Sequence, residues 1–172
     1  FKNKKFKIYK FATMLKNSPN MGSGLHTTLN DPRVLPMGSF LRKTKINELP
    51  QLLNIFLGSM SLIGPRPLVD KTFEPYSKKV KEHIYNVKPG LSGIGSLVFR
   101  DEENLLSNSK MPMNEFYKTY ISPYKGDLEL WYQKKISFYT DCMIIFLTVW
   151  VILFPKSDLV YRVFKDLPQK PD

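Results

Sequence analysis

The chain has 172 residues, 42% of them hydrophobic and 13% aromatic, which supplies a real core and excludes a disordered basic tail or a low-complexity linker. Twenty-six basic against 15 acidic side chains give a formal charge of +11, which points to an anionic partner: nucleic acid, phosphorylated small molecules or an anionic membrane surface. Thirteen prolines and nine glycines exclude a coiled coil, and the single cysteine, Cys142, excludes an internal disulfide, a thiolate zinc site and a CxxC redox centre.

Residues 1–14 carry five lysines interleaved with Phe1, Phe6, Tyr9 and Phe11. From Phe6 to Phe11 they read as a short strand, and otherwise as a solvated basic terminus. Residues 16–30 form a polar loop, in which Gly22 and Gly24 are too weakly spaced for a phosphate-binding signature. Residues 31–41 read as a turn leading into a short structured segment. Leu49, Leu52, Leu53 and Phe56 then recur at helical spacing. That helix is expected to open at Asn47, a good N-cap, with Glu48 suited to the first turn and Pro50 where its missing N–H is not needed, and to close near Gly58.

Gly64-Pro65-Arg66-Pro67 predicts a rigid extended element, because each proline fixes its own φ and pushes the residue before it out of the helical region. Lys88-Pro89-Gly90 and Gly93-Ile94-Gly95 bracket a turn-rich stretch, followed by an expected strand over residues 96–99 and a charged run, Arg100-Asp101-Glu102-Glu103, read as solvated surface. Residues 120–153 are helical in pattern, and 142–154 are apolar at every position but Thr148. Thirteen residues at a rise of ~1.5 Å cover roughly 20 Å, short of the ~30 Å hydrocarbon core of a bilayer. A helix lying at a membrane interface is expected instead, with Trp131, Tyr132, Tyr139 and Trp150 favouring that zone and Lys134, Lys135 and Lys156 flanking it. The predicted fold is a single α+β domain over residues 1–172, mostly helical, with short strands and interfacial amphipathic helices.

Lys10, Arg33, Arg42 and Arg66 are cations beside turns or helix starts, and Asn47-Glu48 opens a helix whose free N–H groups attract phosphate. A carboxylate among such cations stays ionised at neutral pH and suits Mg²⁺ held alongside a diphosphate. Diphosphate chemistry needs this set: a metal and arginines to neutralise the leaving phosphate, and a nucleophile in line with it.

The residues resemble a known family, the bacterial sugar transferases or monotopic phosphoglycosyl transferases. The resemblance runs over residues 6–155 and rests on Tyr9-Lys10-Phe11-Ala12-Thr13-Met14, Asp31-Pro32-Arg33 with Gly38, and the block LRKTKINELPQLLNIFLGSMSLIGPRP over residues 41–67. It continues through Val87-Lys88-Pro89-Gly90-Leu91-Ser92-Gly93, Arg100, and Trp131-Tyr132 with Ser137 and Asp141. The resemblance implies transfer of a sugar 1-phosphate from a nucleoside-diphosphate sugar to a polyprenyl phosphate, at the cytoplasmic face of a bacterial inner membrane, initiating surface glycan synthesis. It also implies an Asp-Glu pair in which the aspartate is the nucleophile and the glutamate helps hold Mg²⁺.

By position, Glu48 resembles that glutamate, and Asn47 stands where the family has the aspartate. Lys10, Arg33, Arg42, Arg66, Pro67 and Arg100 resemble the substrate-binding positions. Ala12 stands where many members have arginine, and Ser59 where many have aspartate. An asparagine amide is a far poorer nucleophile than a carboxylate, so three readings stay open: a subgroup with another nucleophile, an engineered substitution, or a catalytically impaired relative serving as a membrane-surface scaffold. The family's membrane-inserted re-entrant helix is absent from these residues, and the chain is expected to be part of a longer protein. A nucleic-acid-binding module built on Lys2, Lys4, Lys5 and Lys7, with Phe6 and Tyr9 for stacking, is the weaker alternative, and no nucleic-acid partner is expected. Homo-oligomerisation is left open. His26 and His83 lack metal-ligand spacing and read as surface residues.

Overall fold

The computed structural model describes residues 1, 2, 4–22, 27, 28 and 30–170; Gly24 and His26 lie outside the described residues. Ten α-helices and one pair of strands make a mostly helical α+β fold among those residues: α1 Pro36–Lys43, α2 Gln51–Phe56, β1 Ser61–Ile63, α3 Asp70–Phe73, α4 Lys78–His83, β2 Gly90–Ser92, α5 Ile94–Val98, α6 Glu102–Asn108, α7 Met113–Phe116, α8 Ser122–Lys134, α9 Phe138–Leu153 and α10 Leu159–Val163. A π-helical turn, Tyr117–Ile121, joins α7 to α8. Pro123 explains it, since a proline in the second position of α8 removes one ladder donor.

The core sits where α8 and α9 pack on α5 and the strands. Leu128, Ile144 and Leu147 have no exposed surface there, and each contributes roughly 1.5–3 kcal/mol by leaving water. Ser137 caps α9 by accepting from the Thr140 N–H at 3.1 Å. Tyr76, Val80 and Ile84 form a second, smaller cluster, and α4 closes on α8 at Gly126, where a Cβ would come within 2.7 Å of Val80 Cγ2.

Both expected strands lie elsewhere. Residues 6–11 are extended but pair with no strand, because their partners are an asparagine side chain and one carbonyl. Residues 96–99 continue α5, where the Phe99 N–H reaches the Gly95 carbonyl at 3.0 Å and Ile94 and Leu97, three apart, both face the core. The real pair is parallel, with Ser61 opposite Gly90 and Ile63 opposite Ser92. Its backbones approach closely: a Cβ on Gly90 would lie 2.1 Å from Gly64 N, and one on Gly93 2.2 Å from Gly64 O.

The helix expected from Asn47 is divided. Lys45, at φ 60°, ends the reversal after α1, Ile46–Glu48 form a 3₁₀ turn, and α2 starts only at Gln51. Pro50 has no N–H to give the Ile46 carbonyl, which takes the Leu49 N–H at 3.1 Å instead. Asn47 therefore caps nothing with its side chain. The expected end holds, since Gly58 sits at φ 77° just beyond the Leu57 cap. The apolar face of α2 points outward: Leu52, Leu53 and Phe56 are exposed, Phe56 by 87%, while Gln51 and Asn54 are buried.

Two further expectations are corrected. Trp131 packs on Phe164 with ring centroids 5.2 Å apart, and the buried Tyr132 donates to Asp141 Oδ1 at 2.7 Å, so neither ring is at an interface. Arg33 is buried away from the remaining cations. Its Nε meets Asp31 Oδ1 at 2.8 Å and its Nη1 reaches the carbonyls of Ser18 and Met21, each at 2.7 Å. This pair staples the start of the loop to the turn before α1, so its cation is spent on the fold.

The Arg33 hydrogen bonds hold the Asp31 carboxyl well below the usual carboxylate range, against the opposing effect of burial. A depressed carboxyl contributes stability that is fully present above its ordinary value and is lost as pH falls through the folded one. Asp31→Asn is expected to cost about 2 kcal/mol at pH 7, the value of hydrogen bonds to a charged group. Denaturant unfolding at pH 7 and in strong acid checks this: the gap between variant and parent should narrow in acid.

Candidate active site

The site is built where the chain crosses itself around the 3₁₀ turn. The Phe11 N–H donates to the Asn47 carbonyl at 3.0 Å. Asn54 receives the Tyr9 N–H at 3.0 Å and gives its own amide to the Lys7 carbonyl at 2.7 Å. These bonds lay the segment around Lys10 over the turn and explain why α2 buries Asn54. A Cβ on Gly38 would lie 2.2 Å from the Thr13 carbonyl oxygen, so α1, which carries Arg42, is packed directly against the same segment.

From the other side comes the Gly64–Pro67 element. The Gly64 N–H bonds to Ser92 O and the Gly90 N–H to Pro65 O, each at 3.0 Å. The Tyr85 hydroxyl donates to Arg66 O at 3.1 Å and accepts from the Leu68 N–H at 3.0 Å. With its backbone so held, Arg66 sends Nη2 to within 3.3 Å of Glu48 Oε1.

Lys10, Lys45 and Arg66 thus face Glu48, and Arg42 stands close enough to Lys10 and Lys45 to act on both. Burial pushes the Glu48 carboxyl up, but Arg66, Lys45 and Lys10 together outweigh it and leave it below the ordinary range. Desolvation of its head group, then the Arg66 charge, lowers the Lys10 ammonium, with Glu48 opposing. Lys45 is lowered by desolvation, with Glu48 opposing and Arg66 adding to the shift. Arg42 is ion-paired to Glu103, and its Nη1 lies 3.7 Å from Met14 Sδ. The run 100–103 is therefore not free surface, because Glu103 neutralises part of this cluster and Glu102 pairs with Lys125. The sequence reading did not single out Lys45 or Glu103. The turn that brings Lys45 to Glu48 depends on its left-handed backbone, which no local pattern marks.

Arg100 makes no hydrogen bond or ion pair among the described residues, and its Nη1 is buried without a partner. Pro67 is half-buried and acts by fixing the backbone at Arg66. The Asn47 Oδ1 is also buried and without a partner. Asn47 and Glu48 are adjacent oxygen donors of the kind Mg²⁺ takes, an ion that keeps several waters and is commonly shared with substrate phosphates. No group of three or more acidic, His or Cys side chains lies together among the described residues, and four cations crowd the turn. The residues fit a cation that enters with a diphosphate better than one caged by protein alone.

The model of the bacterial sugar transferase family matches residues 1–155. The UDP-galactose-lipid carrier transferase of Erwinia amylovora is 32% identical over 172 residues, covering 92% of this chain and 32% of that protein. The UDP-glucose:undecaprenyl-phosphate glucose-1-phosphate transferase of Escherichia coli (strain K12) is 35% identical over 140 residues, 80% of this chain and 29% of its own length. A sugar transferase of Bacillus subtilis (strain 168), EpsL, itself uncharacterized, is 35% identical over 154 residues, 90% of this chain and 66% of its own. The chain spans about a third of the length of the first two relatives. With its cations and Glu48 gathered from the same blocks that carry the resemblance, and residues 1–155 matched, the chain belongs to the bacterial sugar transferase family.

Proposed function

We propose that this chain is the catalytic domain of a phosphoglycosyl transferase that takes a UDP-sugar as donor and undecaprenyl phosphate as acceptor, moving the sugar 1-phosphate between them at the start of surface glycan synthesis. The observation that carries this reading is the convergence of Lys10, Lys45 and Arg66 on an ionised Glu48 beside Asn47, with Arg42 next to the two lysines. A diphosphate brings two negative charges, and this cluster has positive charge to spare for it. Arg66 gives a planar fork for two phosphate oxygens, Arg42 exchanges Glu103 for phosphate, and Arg100 offers a buried, unpartnered N–H. Mg²⁺, held by Glu48 with the Asn47 side-chain oxygen Oδ1 beside it, would neutralise charge on the leaving phosphate.

In the reaction that the resemblance implies, a carboxylate oxygen at position 47 attacks the β-phosphorus. The bond to the bridging oxygen breaks, and the nucleoside monophosphate leaves with that electron pair. The amide of Asn47 has no charge to drive such an attack. Glu48, drawn toward Arg66, Lys45 and Lys10, has its lone pairs committed. The donor site is kept, and this one position favours weak adduct formation by the chain as it stands.

The acceptor is a lipid, and two surfaces support a docking role on a membrane. Helix α9 is apolar on both sides: Thr140, Ile144, Leu147 and Val151 face the core, while Ile145, Phe146, Val149 and Leu153 are exposed. Beside the site, Met37 and Phe40 of α1 and the outward face of α2 are exposed as well. Apolar surface of this extent marks an interaction site, and the lysine-rich start suits anionic headgroups. No described helix is long and apolar enough to cross a membrane. We assign the domain to the cytoplasmic face of the inner membrane, lying on it.

Incubated with UDP-sugar and Mg²⁺ alone, the unmodified chain is expected to form little covalent phosphosugar adduct, and Asn47→Asp to form much more, as read by intact-protein mass spectrometry. A robust adduct on the unmodified chain would place the nucleophile elsewhere. Arg66→Lys is expected to weaken UDP-sugar binding tenfold or more in calorimetry, because an ammonium cannot grip two oxygens; full affinity would remove Arg66 from the site. Vesicles with anionic lipid should carry the protein in flotation, with lysines near the surface contributing ~1 kcal/mol each, and Ile145→Glu with Val149→Glu should reduce the floated fraction. Absence of flotation at low salt would refute the docking role.

A further inference from the structure

Directly behind Arg66, on α8, lies Glu129, a carboxylate that the reaction above does not use. Its side chain is 4% exposed. The backbone of Gly95 and of Arg66 lies beside its carboxylate, around one small cavity, and their N–H groups favour its charged form. Gly95 leaves it room, since a Cβ there would lie 2.4 Å from Glu129 Oε1. The other oxygen, Oε2, is buried with no partner. Between these groups, Tyr76, Ser96 and Lys125 is a cavity of about 10 Å³, room for about one water.

An incompletely bonded carboxylate in this position is costly for the fold. Burial raises Glu129 to about 7, against the lowering effects of Lys125 and of the Arg66 and Gly95 N–H groups. For an acid raised in this way, the folded state favours the protonated form, so stability falls as pH rises through the ordinary carboxylate range toward the folded value. A neutral isostere would remove that cost, and a purely structural need for hydrogen bonds would be met more cheaply by an uncharged side chain.

We propose that Glu129 is a positioning residue for Arg66: its buried carboxylate grips the Arg66 and Gly95 N–H groups while the Tyr85 hydroxyl holds the Arg66 carbonyl, and together they fix where the guanidinium leaves the Gly64–Pro67 element. Arg66 has no helix or strand to hold it. Its flanking prolines fix φ around it, and the two ends of its own peptide units are fixed by Glu129 and Tyr85. A charged acceptor makes stronger bonds to N–H than a neutral one, so protonation of Glu129 loosens the clamp and lets the guanidinium swing away from the diphosphate.

Several titratable groups face Glu129. Desolvation lowers the buried Lys125 ammonium, with its ion-pair partner Glu102 opposing. Tyr76, Tyr85, Tyr117 and Tyr132 are all pushed above the ordinary phenol range by burial. A UDP-sugar carries a diphosphate diester, which has no proton to lose near neutrality.

The proposal rests on the reading of Arg66 as a donor ligand, and the test separates the two. Binding of UDP-glucose, UDP-galactose and UDP-N-acetylgalactosamine with Mg²⁺ is measured by calorimetry at about pH 6, 7 and 8 for the chain as it stands, Arg66→Lys and Glu129→Gln, with melting temperatures alongside. The parent should bind more tightly as pH rises. Glu129→Gln should bind about tenfold more weakly at pH 8, with affinity flat across pH and a melting temperature at pH 8 no lower than the parent's. A structural loss would instead lower the melting temperature and keep the pH slope. If Glu129→Gln does not fold, Glu129→Asp decides: the charge on a shorter stem should keep the slope and weaken binding, and parental affinity would overturn the proposal. Parental affinity and slope in Glu129→Gln, with binding lost in Arg66→Lys, would overturn the clamp alone. Binding absent from the parent, or unchanged in Arg66→Lys, would overturn the Arg66 reading and the clamp with it.

Discussion

Four cations gathered about two carboxylates, Glu48 and Glu103, repel one another, and the architecture of this domain is organised around keeping them together. Glu48 and Glu103 relieve part of the repulsion, and backbone hydrogen bonds do the rest. The Phe11 N–H on the Asn47 carbonyl, the Asn54 amide on residues 7 and 9, and the Gly64 contacts with Gly90 and Gly93 each lock one strand of the site to another. Such contacts do not weaken when the charge balance changes. On the proposed reading, a diphosphate entering the cluster meets positive charge already in position and needs little reorganisation to be bound.

The same economy explains the unusual faces of α2 and α9. A small domain normally turns leucines inward, yet α2 buries Gln51 and Asn54 and exposes its leucines and Phe56. Asn54 must face inward because it ties the Lys10 segment to the turn, and the apolar face is left for the surface. Helix α9 has enough apolar residues for two faces, one against α5 and the strands and one outside. Both choices place hydrophobic surface where a lipid-borne acceptor would be met.

Beneath the site, α8 carries Lys125 and Glu129 one turn apart, both buried. Lys125 pairs with Glu102 and lies over the rings of Phe99 and Tyr117, 5.2 and 5.8 Å from their centroids. Buried charges of this kind give up stability relative to a hydrocarbon core. Their position between α6, which delivers Glu103 to Arg42, and the Gly64–Pro67 element, which delivers Arg66, links the polar interior to both arms of the phosphate cluster.

Much of the site was legible in the sequence. Lys10, Arg42, Glu48 and Arg66 stood out as charges beside turns and helix starts and through the family resemblance, because each lies in a block whose local order is short-range: a helix end, a turn, a residue between two prolines. The length and periodicity of residues 120–153 determined the long helices and excluded a membrane span, since both follow from rise per residue and hydrophobic content. What the sequence could not carry was long-range pairing. The strands proved to be residues 61–63 and 90–92, selected by glycines that let two backbones touch and not by strand-forming side chains. Arg33 and Arg42 look alike in sequence, and only their neighbours separate them: Asp31 two residues away consumes the first, while Glu103, distant in sequence, lightly holds the second. Asn47 was legible as a residue in the nucleophile's place, but not as a buried one with a free oxygen. Composition and local order fixed the inventory of charges; the tertiary structure decided which of them face one another, because that depends on contacts between segments whose separation along the chain no local pattern records.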